Sequence, residues 1–273
     1  MKKFLLAFIL ILSLNSVAFA KLKIGTVTNI PALANEVKNA PLGYYTDRLS
    51  VLSALHSKND EWVFFDDFST MLTALNSGAI DELDTFAVTA SYLLNTNPEF
   101  KLVCIDYSNI PMFLSMGFRN DEDGYQIRDM FNDAINAMTI DGSLKALITA
   151  YIKEPGKREP EIAKFAKFKD APEIKVAVTG DLPPLDYVRA DGTPAGFNTA
   201  VLAEIGRRLQ VNIIPVNINS GARTAALTSG RVDVVFWYMT EGLEYLQRFV
   251  PEGVLISMPY YEFHEFMHVA RKK

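Results

Sequence analysis

The sequence predicts an α/β fold with largely parallel sheets, arranged as two similar lobes. Three observations predict it. First, β-rich runs alternate with short amphipathic helices, the pattern that builds parallel sheets. Second, the pattern occurs twice. Ala74–Asp81 (ALNSGAID) matches Ala226–Asp233 (ALTSGRVD), residue 226 against residue 74, an offset of 152. The same offset aligns Lys23-Ile24 with Lys175-Val176. Third, 49% of the 273 residues are hydrophobic and 22% are charged, which supplies a core and excludes disorder, collagen-like repeats and a coiled coil.

In chain order, Met1-Lys2-Lys3 is a short basic stretch, and Phe4 to Leu14 is apolar apart from Ser13. Ala18-Phe19-Ala20 then reads as a cleavage site. Residues 1–20 are therefore expected to be a signal peptide, and the mature chain to be soluble in the periplasm. Copy one follows: a strand from Leu22 to Val27, another from Trp62 to Phe65, and a helix from Phe68 to Asn76. That helix stops at Ser77-Gly78, where glycine can take the left-handed conformation. Cys104 falls in the apolar run Leu102 to Ile105, where a buried thiol is expected. Helices are expected from Asp129 to Met138 and from Ser143 to Ile152. Residues 154–172, with Pro155-Gly156 and Pro160, then Lys164, Lys167 and Lys169, read as a surface linker. Copy two repeats the order: Ile174 to Val178, Val211 to Val216, a helix from Ala222 to Thr228, and a buried strand from Val232 to Tyr238.

Without the signal peptide, 25 basic residues face 32 acidic ones, a net charge of −7. An acidic chain argues against non-specific nucleic-acid binding. One cysteine makes no internal disulfide and no Cys-rich metal site.

The motifs of copy two resemble those of a family. Gly180-Asp181-Leu182-Pro183-Pro184-Leu185-Asp186-Tyr187, then Gly192 and Gly196-Phe197-Asn198, resembles the opening of the bacterial family 3 extracellular solute-binding proteins. Ala226–Asp233 and Met258-Pro259-Tyr260-Tyr261 resemble two further motifs of that family. Residues 21–152 resemble its remaining half, through Phe65-Asp66-Asp67, Met116–Asn120, Phe131–Ile135 and Asp141–Leu144. The halves stand in exchanged order. The resemblance therefore implies a two-lobed periplasmic-binding-protein fold of type II, circularly permuted. Lobe two would span 21–115 and lobe one 116–273, with 154–172 joining the family's old ends.

The resemblance also implies a ligand in the cleft between lobes, at the carboxyl ends of parallel strands. The residues placed there are Asp181, Leu185, Ser220, Arg223, Trp237, Tyr238 and Thr240 from lobe one, with Phe86 and Asn29 from lobe two. Amino-acid binders of the family hold the α-carboxylate with Arg and the α-ammonium with an acid. Tyr245 and Phe86 stand at those two places, so a standard α-amino acid is not the expected ligand. Aromatic rings there favour an apolar, planar or cationic solute. Trp237 either walls this cleft or packs the core of lobe one. Arg223 is either an anion contact or a solvated charge.

His264-Glu265-Phe266-Met267-His268 spells H-E-x-x-H, a zinc motif only on a helix. A strand is expected there, and on a strand the two histidines stand about 13 Å apart at ~3.3 Å per residue. No metal, cofactor or catalytic residue is assigned. The expected function is that of a monomeric substrate-binding protein of an ABC importer, with a small-molecule ligand and a membrane permease as partners. The alternatives are a dehydratase- or lyase-type enzyme on the same fold, and a ligand-sensing module.

Overall fold

The computed structural model describes residues 21–27, 60–153, 155–157, 160, 162–241 and 250–273. Residues 1–20, Asn29 and Tyr245 lie outside the described residues. Copy one contributes β1 (Lys23–Val27), β2 (Glu61–Phe65), α1 (Phe68–Ser77), β3 (Glu82–Phe86), α2 (Ala87–Thr96) and the long strand β4 (Phe100–Arg119). Helices α3 (Glu122–Ile140) and α4 (Ser143–Tyr151) follow. Copy two contributes β5 (Glu173–Val178), the short strands β6 (Asp181–Leu182), β7 (Asp186–Val188) and β8 (Pro194–Ala195), then α5 (Phe197–Leu209) and β9 (Asn212–Asn217). It continues with α6 (Arg223–Thr228), β10 (Val234–Glu241), β11 (Val254–Ile256) and β12 (Tyr261–Arg271).

The fold is mixed α/β. Nine strands form one sheet in the order β2-β1-β3-β12-β4-β10-β5-β9, with β11 paired to β4. Each copy supplies three parallel strands to it, β2-β1-β3 and β9-β5-β10, and each set is finished by an antiparallel long strand belonging to the other copy. Thus β12 pairs with β3, and β4 pairs with β10. The two long strands also pair with each other, from Tyr261↔Leu114 to Arg271↔Phe100. Neither copy completes its sheet alone.

The 152-residue repeat holds down to single hydrogen bonds. Asp81 Oδ2 accepts from Lys23 N, and Asp233 Oδ2 accepts from Lys175 N, each at 2.9 Å. Asp81 N donates to Lys23 O, and Asp233 N to Lys175 O. Registers agree as well. Ile24↔Glu82 corresponds to Val176↔Val234, and Val269↔Leu83 to Gly117↔Val235. The aspartate after each Ser-Gly turn therefore ties the start of the third strand to the start of the first. Its carboxylate occupies a backbone donor that would otherwise need water.

Local chemistry sets the helix ends. Asp67 accepts from Thr70 N at 2.7 Å to start α1, and Gly78, at φ 76°, ends it. Helix α3 begins at residue 122 rather than near the predicted 129. Asp121 caps it through Gly124 N, and Glu122 and Asp123 complement the helix dipole. It packs through Phe131, Ile135 and Met138. Segment 154–172 carries no helix or strand among its described residues, and its lysines are exposed. Yet Ala163 and Phe165 pack against the main core, and Pro155 O accepts from Asn95 Nδ2 at 2.8 Å. The linker is thus fastened to α2 as well as to its flanking elements.

Candidate functional site

Strand β10 has one extra residue relative to β3. Its pairing with β4 shifts between Val235↔Gly117 and Tyr238↔Ser115, a β-bulge at Phe236-Trp237. Strand β3, its counterpart, pairs with β12 without a shift. A bulge turns a side chain to the other face. Here Phe236 and Trp237 both enter the main core, while Val235 and Tyr238 face the smaller one. Trp237 adopts φ 68°, left-handed backbone that costs a non-glycine residue about 1–2 kcal/mol.

The turned indole meets Phe86, at the end of β3, edge to face with ring centroids 5.6 Å apart. Its other neighbour is Arg223, whose Cζ sits 4.5 Å from the ring centroid. Arg223 Nη1 donates to Phe236 O at 3.0 Å. The guanidinium is only 1% exposed, so the expectation of a solvated helix charge is corrected. Burial pushes its pKa down, and the charges of Tyr238, Asp186 and Asp181 oppose that shift. Burial pushes the Asp186 carboxyl up. Hydrogen bonds from Gly180 N, Thr179 Oγ1 and Thr179 N, and the charge of Arg223, pull it back. A buried cation thus lies behind Trp237, with its counter-charge supplied from within the protein.

Asp181 reaches across to the start of α1. Its Oδ2 accepts from Ser69 N at 2.9 Å and Ser69 Oγ at 3.0 Å. Nearby, a Cβ on Gly221 would lie 2.9 Å from Asp66 Oδ1, so the two segments approach closely there. The Asp181 bonds hold the start of β6 against the start of α1. Leu185 is 1% exposed and lines a cavity of about 290 Å3 together with Phe86, Tyr261, Phe263, His264 and Glu265. Ala87 and Val88, at the start of α2, line it as well.

The structure thus brings Phe86, Trp237 and Arg223 into one stack, with Asp181 beside them and Leu185 across the cavity. It does not bring Tyr238 or Thr240 to them. Tyr238 faces away, with its hydroxyl 2.9 Å from Thr224 Oγ1. Thr240 is fully buried, and Ser220 opens the single 3-10 turn Ser220–Ala222. Sequence reasoning missed Tyr261, Phe263 and Glu265. The available signal was the mixture of aromatic and acidic residues from Tyr261 to Phe266, which on a strand places Tyr261, Phe263 and Glu265 on one side. The H-E-x-x-H motif lies on β12, as expected. His264 Nε2 lies 3.2 Å from Glu262 Oε1, and His268 is buried beside Glu82 and Asp84. Among the described residues, no group of three or more His, Cys, Asp or Glu side chains is placed to hold a metal ion. No helix among them is long and apolar enough to cross a membrane.

No curated protein matches the chain. Among solved structures, the chain is similar to the alkanesulfonate-binding protein SsuA from Xanthomonas axonopodis pv. citri bound to MOPS. Identity is 11%, coverage 93% of this chain and 66% of that one, and the TM-score 0.41. It is similar to the periplasmic aliphatic sulphonate binding protein SsuA from Escherichia coli at 13% identity, coverage 92% and 61%, and TM-score 0.40. The GluR0 ligand-binding core from Nostoc punctiforme in complex with L-glutamate gives 10%, 92% and 85%, and 0.37. The chain spans 66%, 65% and 61% of the first three such structures, just under two thirds of each. Residues 174–273, all of copy two from β5 onward, match the bacterial extracellular solute-binding proteins, family 3.

Proposed function

We propose that this chain is an exported substrate-binding protein of an ABC importer, and that it captures a small solute between two lobes and presents it to a membrane permease. The lobes are 21–115 and 116–273, in an order exchanged relative to the family, and residues 1–20 are the export signal. One observation carries this reading. The two copies interleave, each lending its long strand to the other's sheet, and a cavity sits where they meet, lined by Phe86 and Leu185. Two lobes joined by paired strands can hinge around a solute. The family match over 174–273 supports the same reading from sequence. The work is binding rather than catalysis, since closure around the solute is what the permease would recognise.

Phe86 holds the place where amino-acid binders of the family carry an acid. A standard α-amino acid therefore lacks its usual ammonium contact at that position, and among the described lining residues no Lys or Arg faces its carboxylate. Thermal-shift screening tests this. A ligand at 100 times its Kd stabilises by about 2.7 kcal/mol. Free α-amino acids should give no such shift, and a large shift from glutamine or arginine would contradict the reading.

A further inference from the structure

We infer that the cavity between β3, β12 and Leu185 takes an organic cation with an apolar body. This rests on the solute-binding reading above and names the chemistry of the solute. Among the described residues, Phe86, Tyr261 and Phe263 line the space with aromatic rings. Their orientations are fixed by mutual contact. Phe86 meets Phe263 edge to face at 5.0 Å, and Tyr261 stacks on Phe263 at 6.0 Å with an interplanar angle of 14°. Tyr261 is braced in turn by Phe197 at 5.6 Å. The negative faces of such rings attract a cation, and more strongly where water is excluded.

The charges around the cavity have the matching sign. Glu265 lines it and forms no ion pair with a described residue. Its charge reaches Tyr261, whose hydroxyl is pushed up to about 12 by burial first and by Glu265 second. His264 also lines the space, but its Nε2 faces Glu262. The buried cation that could receive an anion, Arg223, is not in the lining. It stands behind Trp237, with Asp186 and Asp181 as counter-charges. The start of α2, which has no side-chain cap, favours an anion through the helix dipole. It faces the same space as Glu265, a full charge against a partial one. At about 290 Å3 the cavity is at the small end of ligand sites, which suits a compact amine.

The test uses two probes of matched shape and opposite charge, 2-phenylethylammonium and 3-phenylpropionate, titrated calorimetrically into the mature chain. The ammonium should bind at least tenfold tighter. Glu265→Gln, at an exposed position, should leave the melting temperature unchanged. It should weaken the ammonium about tenfold, the usual scale for losing a charge-assisted contact. Phe263→Leu should weaken it as well. Tighter binding of the anion, binding of neither probe, or an ammonium affinity that Glu265→Gln leaves unchanged would each overturn the inference. Native mass spectrometry of the same preparation separates the two readings. A retained neutral or anionic solute leaves solute binding standing and removes only the cation.

Discussion

Replacing Trp237 by alanine empties a site that Arg223 and Phe86 share. The indole is 5% exposed, capped on one side by Arg223 and on another by Phe86. Truncating a buried aromatic to alanine costs about 3–5 kcal/mol. Arg223 adds to this, because a desolvated cation–π contact is worth up to about 2 kcal/mol and the guanidinium has no water to turn to. For a chain of this size, each kcal/mol lowers Tm by about 2–4 °C, so the variant should melt at least about 6 °C lower. The backbone adds a second signature. At φ 68° alanine keeps a strain of about 1–2 kcal/mol that glycine does not feel. Glycine's extra chain entropy returns about 0.5–1 kcal/mol of that difference. Trp237→Gly should therefore be no worse than Trp237→Ala, against the usual order. Thermal and chemical denaturation of both variants read the result. A Tm loss under about 2 °C for alanine would show that the ring is not core. A glycine variant clearly less stable than alanine would refute the bulge conformation.

Two further perturbations follow from the same contacts. A Cβ on Gly117 would lie 2.3 Å from Tyr238 Cε2, and that ring is held by Thr224, so Gly117→Ala should cost about 1–3 kcal/mol. In a double-mutant cycle with Tyr238→Ala the losses should fall short of additive, and full additivity would contradict the clash. Asp141 is held down to about 2, first by Ser143 N and then by Arg208. An ordinary Asp titrates near ~3.9. The native state thus favours the ionised form, and the resulting stability is present above about pH 4 and lost as pH falls toward 2. Asp141→Asn should flatten that part of the acid limb, and an unchanged pH profile of melting would count against it.

Much of the fold was legible because its signals are local and repeated. The Ser-Gly-x-x-Asp turn marks a helix end and a strand start in one stroke. At both copies the aspartate makes the same bonds to the first strand. The start of α3 was missed because its cap, Asp121-Glu122-Asp123, precedes the apolar periodicity. The site was less legible. Which way Trp237 points depends on one inserted residue in the pairing of β10 with β4, and no local preference announces a bulge. Arg223 reads as a surface residue by type. The contact with Trp237, the hydrogen bond to Phe236 O and nearby charges such as Asp186 make its burial tolerable. Tyr261, Phe263 and Glu265 converge because β12 is borrowed by the other copy's sheet, a long-range pairing that strand periodicity alone does not reveal.

The central claim is that the junction of the two copies holds a small solute. Native mass spectrometry of the protein, expressed with its own leader and purified without refolding, tests it most directly. The account predicts a mass above that of the 21–273 chain by one compact molecule, and loss of that molecule on gentle activation. It also predicts a smaller bound fraction in Phe263→Leu. A bare chain mass, together with no stabilisation by any member of a broad solute panel, would contradict the account.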